Sequence, residues 1–181
     1  MTTRATCVPT LSSERLILEP LSFDHSAGMF SLWSEPEVCR FSGAAKDFEG
    51  RPIALPAKSP ADSDRIIDFF QRQCAEGAGF RWALITQGKG RFVGTAGFNR
   101  LGPCSEYAYH LHPNFWGQGL MSEASGVAFA WLRDHHPLVE VEAFIDPDNC
   151  PSIALAMRLG FQATGQTIDG AARYLLAASS D

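Results

Sequence analysis

The run His112-Pro113-Asn114-Phe115-Trp116-Gly117-Gln118-Gly119-Leu120-Met121-Ser122-Glu123-Ala124 carries a strand-like segment through two glycines straight into a helical pattern. A helix leaves its first N–H groups without partners and carries a partial positive charge at that end. Glycines before it let an anion approach the backbone with no Cβ in the way, so the run reads as an anion cradle, and pyrophosphate is its natural guest.

Three glycine-loop readings compete for it. A P-loop needs Gly-x-x-x-x-Gly-Lys followed by Ser or Thr, and no lysine follows Lys89. A dinucleotide loop needs Gly-x-Gly-x-x-Gly, but the third glycine position is Ser122, and the run arrives after several strands instead of opening a βαβ unit. The third reading is an acyl-CoA cradle, and here the flanking residues narrow the choice more than the glycines do.

Leu111-x-Pro113-x-x-Trp116-Gly117-x-Gly119-Leu120-Met121-Ser122-Glu123-Ala124 closely resembles the pyrophosphate-binding motif of GNAT-superfamily N-acetyltransferases, in the branch of the ribosomal-protein N-terminal (Rim-type) acetyltransferases. Two further blocks resemble that branch in order and spacing. Ser13-Glu14-Arg15-Leu16-Ile17-Leu18-Glu19-Pro20-Leu21 looks like its first strand. Val141 to Asn149, then Ser152 and Leu159-Gly160-Phe161, looks like its fifth strand, fourth helix and sixth strand.

At 181 residues and 45% hydrophobic content the chain has the size of one domain with an ordinary core. A formal charge of −5 with scattered Arg and Lys lacks the basic footprint of a nucleic-acid binder. Cys7, Cys39, Cys74, Cys104 and Cys150 form no CxxC pair and no zinc spacing, which reads as free thiols in a reducing compartment. No signal-peptide pattern and no membrane-length apolar run is present, so a cytoplasmic protein without a membrane partner is expected, as a monomer or homodimer.

Along the chain, residues 1–12 are expected to fray and 13–181 to form the domain. Strand, helix and turn signals then give the order β-α-α-β-β-β-α-β-α-β-β, an α/β chain with a mixed sheet. Asp24 is expected to cap the first helix, and Ile66, Phe69, Phe70 and Cys74 mark the second, ended by Gly77. Gln87-Gly88-Lys89-Gly90 signals a hairpin; His135-His136-Pro137 stops the third helix, and Pro151 and Gly160 bound the fourth. Ser34 to Ala61 shows no clear periodicity and suits a lid or binding loop. The resemblance implies a single-domain GNAT-like fold, a mostly antiparallel mixed sheet flanked by about four helices.

It also implies the chemistry. The strands before Gly117 and Asp146 would splay apart around the pantetheine arm of acetyl-CoA. The pyrophosphate would lie on the backbone of Gly117 to Ser122, with Leu111, Trp116, Gln118, Leu120, Met121, Asn149 and Ser152 beside the cofactor. Ser152 would protonate the departing thiolate or hold a water that does. Relatives often place a tyrosine four residues before the Gly-Phe pair, where this chain has Ala156. Asn and Ser at a helix start also suit capping.

Glu106, Glu142 and Asp169 are the candidate general bases, with Glu106 foremost, and each equally suits a solvent-facing position. His110 and His112 share one side of a strand but lack a third ligand, so no metal is expected. Cys150 has no recognisable cysteine-histidine-acid order around it, and Phe41, Phe48, Trp82 and Phe98 suit either an acceptor pocket or the core. The expected function is acetyl transfer to a primary amine, a peptide α-amine or a small molecule, by direct attack in a ternary complex. A CoA-binding sensor without turnover is the alternative outside enzymes.

Overall fold

The computed structural model describes residues 8–136 and 139–178. In chain order the elements are β1 (Leu11–Ser12), β2 (Leu16–Pro20), α1 (Ser26–Trp33), α2 (Pro36–Cys39), β3 (Ala45–Lys46), β4 (Pro52–Ile53), α3 (Pro60–Ala75), β5 (Phe80–Thr86), β6 (Phe92–Arg100), β7 (Cys104–Leu111), α4 (Leu120–His135), β8 (Glu140–Ile145), α5 (Cys150–Arg158), β9 (Gln162–Ile168) and β10 (Ala171–Leu176). Short 3-10 turns at Phe23–His25 and Pro113–Phe115 precede α1 and α4.

Eight strands form one sheet in the order β1-β2-β5-β6-β7-β8-β10-β9, and β3-β4 form a separate hairpin. Every pairing in the large sheet is antiparallel except β7 with β8. The two faces bury separate cores. On one, α4 and α5 cover Leu16, Leu18, Trp82, Leu84, Phe98, Tyr107 and Val141. On the other, α1, α2 and α3 cover Leu21, Ala83 and Ile85 with Met29, Leu32, Trp33, Val38 and Ile67. The aromatic centre of the first core packs edge to face, Trp82 lying 5.5 Å from Trp131 and 4.7 Å from Phe80 between ring centroids.

Several boundaries differ from the sequence-based expectation. Residues 1–7 lie outside the described residues, but the segment expected to fray up to residue 12 is in place from Val8. Val8 is buried, the Pro9 carbonyl accepts from the Trp82 indole at 2.9 Å, and Leu11–Ser12 pairs with β2. Asp24 does not cap α1: it lies inside the 3-10 turn, which Ser22 caps, and His25 is the residue that precedes α1. The aperiodic stretch after Ser34 holds α2 and the β3-β4 hairpin, so the described residues form five α-helices where about four were expected. The pieces were too short for periodicity to reveal. Helix α3 starts where Pro60 is preset for the first turn, and the Asp62 carboxylate accepts the Lys58 and Ser59 N–H groups, each at 3.0 Å. The third helix ends at His135 as expected, and Pro137 lies outside the described residues.

Candidate active site

The parallel β7-β8 ladder runs only from Cys104↔Glu140 to Glu106↔Glu142. Beyond it β7 stays with β6 as far as Leu111, while β8 follows β10 as far as Ile145. The sheet therefore opens into a gap between Tyr107–Leu111 and Ala143–Ile145. The His112 N–H donates to Val93 of β6 at 2.8 Å, so strand alternation turns the Leu111 N–H toward the gap. The Leu111 carbonyl accepts from the half-exposed Trp116 indole at 2.7 Å, which ties the loop to the strand end.

At the mouth of the gap the loop enters α4. Gly117 and Gly119 have φ of 71° and 74°, the left-handed region that glycine adopts without penalty. A Cβ on Gly117 would meet nothing within 4 Å, and one on Gly119 only the Arg15 guanidinium at 3.6 Å. Both positions are thus open above the backbone. The first bond of the helix runs from the Glu123 N–H to the Gly119 carbonyl at 3.1 Å, so the Leu120, Met121 and Ser122 amides precede the intrahelical ladder. Leu120 and Met121 bury their side chains in the core and offer only backbone to a ligand. The Gln118 amide turns back to the Asn114 carbonyl at 3.1 Å.

Arg15 locks this loop to the start of β2. Its Nε donates to Glu123 Oε2 at 2.6 Å, its Nη1 to the Gln118 carbonyl at 2.8 Å, and its backbone N–H to Glu123 Oε1 at 2.8 Å. Burial pushes the Glu123 carboxyl up, but hydrogen bonds from Ser13 and Arg15 more than offset this and hold it below the usual carboxylate range. Arg15 belongs to the first resembling block and Glu123 to the second, 108 residues later. Neither stood out from the sequence as a partner, since only the fold brings them together.

On the α4-α5 side of the gap, Asn149 caps α5 by accepting the Ser152 N–H at 3.3 Å, and the Ser152 hydroxyl shares a 2.6 Å hydrogen bond with the Tyr109 hydroxyl of β7. Sequence reasoning missed Tyr109, whose period-two register with Tyr107 was the available signal. The expected tyrosine position on α5, Ala156, is core. Burial raises the Tyr109 hydroxyl above the usual phenol, with Ser152 and Arg158 pulling it down.

Across β7, Glu106 accepts from Asn99 Nδ2 at 2.6 Å, and Asn99 Oδ1 accepts from Arg81 Nη2 at 2.5 Å. Arg81 is buried, donates to the Ala108 carbonyl and stacks on Phe70 at 4.7 Å; burial lowers it to about 10 although Tyr107 and Glu106 favour its charge. His110 lies 4.5 Å from Trp33 between ring centroids, and burial together with Arg81 holds it neutral, at about 3. Among the described residues, the buried Trp33 indole N–H has no hydrogen-bond partner.

Glu142, one of the three carboxylates expected as a base, is instead buried between Arg100 and Arg173, the latter at 2.6 Å. Asp169 is exposed at the tip of the β9-β10 hairpin with φ 51°. His112 lies 3.6 Å from Glu35 and accepts the Asn114 N–H, so it closes the loop. Among the described residues no group of three or more His, Cys, Asp or Glu gathers as metal ligands, and Cys150 is an exposed free thiol at the head of α5. Trp82 and Phe98 belong to the core, while Phe48 lies under Arg72 and Phe41 under Arg40. No helix among the described residues is long and apolar enough to cross a membrane.

The strand gap thus opens on a left-handed glycine turn at a helix N-terminus. The family pattern described as acetyltransferase (GNAT) domain matches residues 15–162, and the chain belongs to that family. It is 28% identical over 159 residues to the uncharacterized N-acetyltransferase p20 of Bacillus licheniformis, covering 86% of this chain and 84% of that protein. It is 26% identical to the uncharacterized N-acetyltransferase YoaA of Bacillus subtilis, covering 87% and 85%.

Among solved structures, a GNAT-family acetyltransferase from Bacillus anthracis superposes with a TM-score of 0.75 at 18% identity, covering 94% and 99% of the two chains. The ribosomal L7/L12 α-N-protein acetyltransferase RimL in complex with coenzyme A gives 0.77 at 18%, covering 96% and 100%; at that identity the likeness speaks for the fold. Membership of the GNAT acetyltransferase family makes the protein an acyltransferase whose acetyl donor is acetyl-CoA. Open left-handed glycines, leading helix amides and a free strand edge are features that suit a pyrophosphate and an amide-bearing arm.

Proposed function

We propose that the protein transfers the acetyl group of acetyl-CoA to a primary α-amine, of a peptide or protein N-terminus, by direct attack within a ternary complex. Bound acetyl-CoA supplies an activated thioester. The Gly117–Ser122 backbone holds its pyrophosphate, with Leu111, Trp116, Gln118 and Asn149 shaping the approach, and the Leu111 N–H polarises the acetyl carbonyl. Positioning of amine against thioester supplies much of the rate.

The observation that carries this reading is the partition of chemistry across β7. Ser152 and Tyr109 lie on the α4-α5 side of the gap, where a departing sulfur would find a hydroxyl donor. Glu106 lies on the other side, with Asn99 holding one carboxylate oxygen. An amine arriving from the α1-α3 face would therefore meet a base, acting through a water, while the thiolate leaves along the opposite face. A lysine side chain needs roughly 4 to 5 kcal/mol to be neutral at pH 7, an α-amine near pKa 8 only about 1. One partly exposed carboxylate at a distance favours the α-amine.

The test is CoA release from acetyl-CoA across peptides with free or blocked N-termini, lysine-containing peptides and small amines, with the modified nitrogen located by mass spectrometry. Acetylation of free α-amines is expected. A panel in which ε-amines or small polyamines react and α-amines do not would overturn the acceptor class. Tight binding of acetyl-CoA without turnover on any amine would convert the reading to a CoA-binding sensor.

A further inference from the structure

We propose that Tyr109 is a positioning residue that sets the direction of the Ser152 hydroxyl, so that serine presents its proton to the sulfur leaving through the gap. The inference rests on the transfer reaction proposed above, and deepens its leaving-group step.

The two side chains meet across the place where the sheet comes apart. Tyr109 stands three residues past the last β7-β8 pair, and Ser152 stands in the first turn of α5, just after β8 and its connecting turn. Their oxygens are 2.6 Å apart, a short hydrogen bond between residues 43 positions distant in sequence. Ser152 is held at a second point, its N–H by Asn149 Oδ1. The Tyr109 ring is fixed in turn against Tyr107, at 5.9 Å between centroids, and Tyr107 by Ser125 of α4 at 2.9 Å. The Ser152 backbone is thus held by its cap, and its hydroxyl oxygen by a tyrosine whose ring packs against Tyr107.

Direction follows from acidity. A phenol is a stronger hydrogen-bond donor than an alkyl hydroxyl, and the alkyl oxygen the better acceptor. Tyr109 therefore donates to Ser152 Oγ. That leaves the serine proton with no claim on it from tyrosine and polarises it toward whatever lies in the gap. Burial keeps Tyr109 protonated at neutral pH, so its own proton stays in place.

In the transfer the amine nitrogen forms a bond to the acetyl carbon and the C–S bond breaks, its electron pair passing to sulfur. The amine's surplus proton leaves by way of Glu106 and water, and the thiolate gains one from solvent on release. Ser152 and Tyr109 lend hydrogen bonds while the charge develops and lose none of their protons.

The experiment compares wild type, Tyr109→Phe, Ser152→Ala and the double variant. The readouts are kcat, Kd for acetyl-CoA, Tm, and the pKa of the thiol of bound CoA followed by thiolate ultraviolet absorbance. Tyr109→Phe retains the ring and its packing. The proposal expects kcat to fall about tenfold in Tyr109→Phe, the weight of one lost hydrogen bond, with Kd unchanged. It expects the bound-thiol pKa to rise in both single variants, and the double variant to be no slower than Ser152→Ala, since the two act as a unit. A Tyr109→Phe protein with wild-type kcat and bound-thiol pKa and only a lower Tm would overturn it, as would additive losses in the double variant. Should wild type show no turnover with any amine, the function proposal falls by itself, and the bound-thiol pKa still decides for or against Tyr109.

Discussion

The β7-α4 turn and the α1-α3 face meet the same strand and are built from opposite materials. The turn offers backbone: left-handed glycines, helix-end amides and a strand edge, with its side chains folded into the core or back onto the loop. The face offers side chains, among them a buried guanidinium, a neutral histidine, an orphaned indole N–H and the Asp47 network. A backbone site depends on conformation and is nearly indifferent to pH. A side-chain site depends on ionisation and tolerates reshaping of its loops.

The sharpest way to break that contrast is Gly119→Val. A β-branched residue in the left-handed region costs roughly 1–2 kcal/mol locally and displaces the amides that face the anion. Loss of two charge-assisted hydrogen bonds lowers acetyl-CoA affinity by about 100-fold, read by calorimetry on a protein with a largely unchanged fold. Unchanged affinity would remove the turn from the donor site.

This difference in material also decided what could be read in advance. The turn is contiguous, so Trp116-Gly117-Gln118-Gly119 displayed its glycines, its helix start and its place after a strand in one window. The hairpin at Gln87–Gly90 and the ends of α4 and α5 were legible for the same local reason. Tyr109 was invisible as a partner because its hydrogen bond depends on where β7 and β8 part, and parting is a property of the sheet. Glu142 resembled a cleft carboxylate until β6 and β10 brought Arg100 and Arg173 against it. The α2 and β3-β4 pieces, four and two residues long, carry too few repeats for any period to register.

The α1-α3 face should betray its titratable groups in acid. The His110 ring titrates at about 3 in the folded chain against an ordinary 6.5, so between these values the unfolded chain binds a proton the native one refuses. Its contribution is fully present above about pH 6.5 and is lost as pH falls, at no more than about 1.4 kcal/mol per pH unit. His110→Phe retains a ring beside Trp33 and is expected to flatten the decline of Tm between pH 7 and pH 5, a measurement for thermal melts. An unchanged slope would show that His110 is not held neutral.

Asp47 tests the same face lower on the scale. Burial raises its carboxyl, but hydrogen bonds from Arg65 and Arg51 outweigh this and bring it from 3.8 to about 2. The stability it adds is present above about pH 4 and disappears as pH falls toward 2. Asp47→Asn should therefore melt below wild type at pH 7, with the difference shrinking through that window and acetyl-CoA affinity unaltered. A change in that affinity would mean that the two regions are coupled.

The smallest effect is expected where the two materials join. Arg15 braces the backbone turn from β2, through Glu123 and the Gln118 carbonyl. The Arg15 side chain is about half exposed, at 47%, so the ion pair itself contributes no more than about 1 kcal/mol to stability. Its weight should appear in the order of the loop instead. Glu123→Gln leaves the Gln118 contact intact and is expected to weaken acetyl-CoA binding about twofold, whereas Arg15→Ala loses both contacts and should weaken it several-fold, on the scale of one ordinary hydrogen bond. Calorimetric titration of the two single variants and the double variant reads the coupling directly. If Arg15→Ala binds acetyl-CoA like wild type and only melts lower, the turn holds its shape through its glycines and helix start alone.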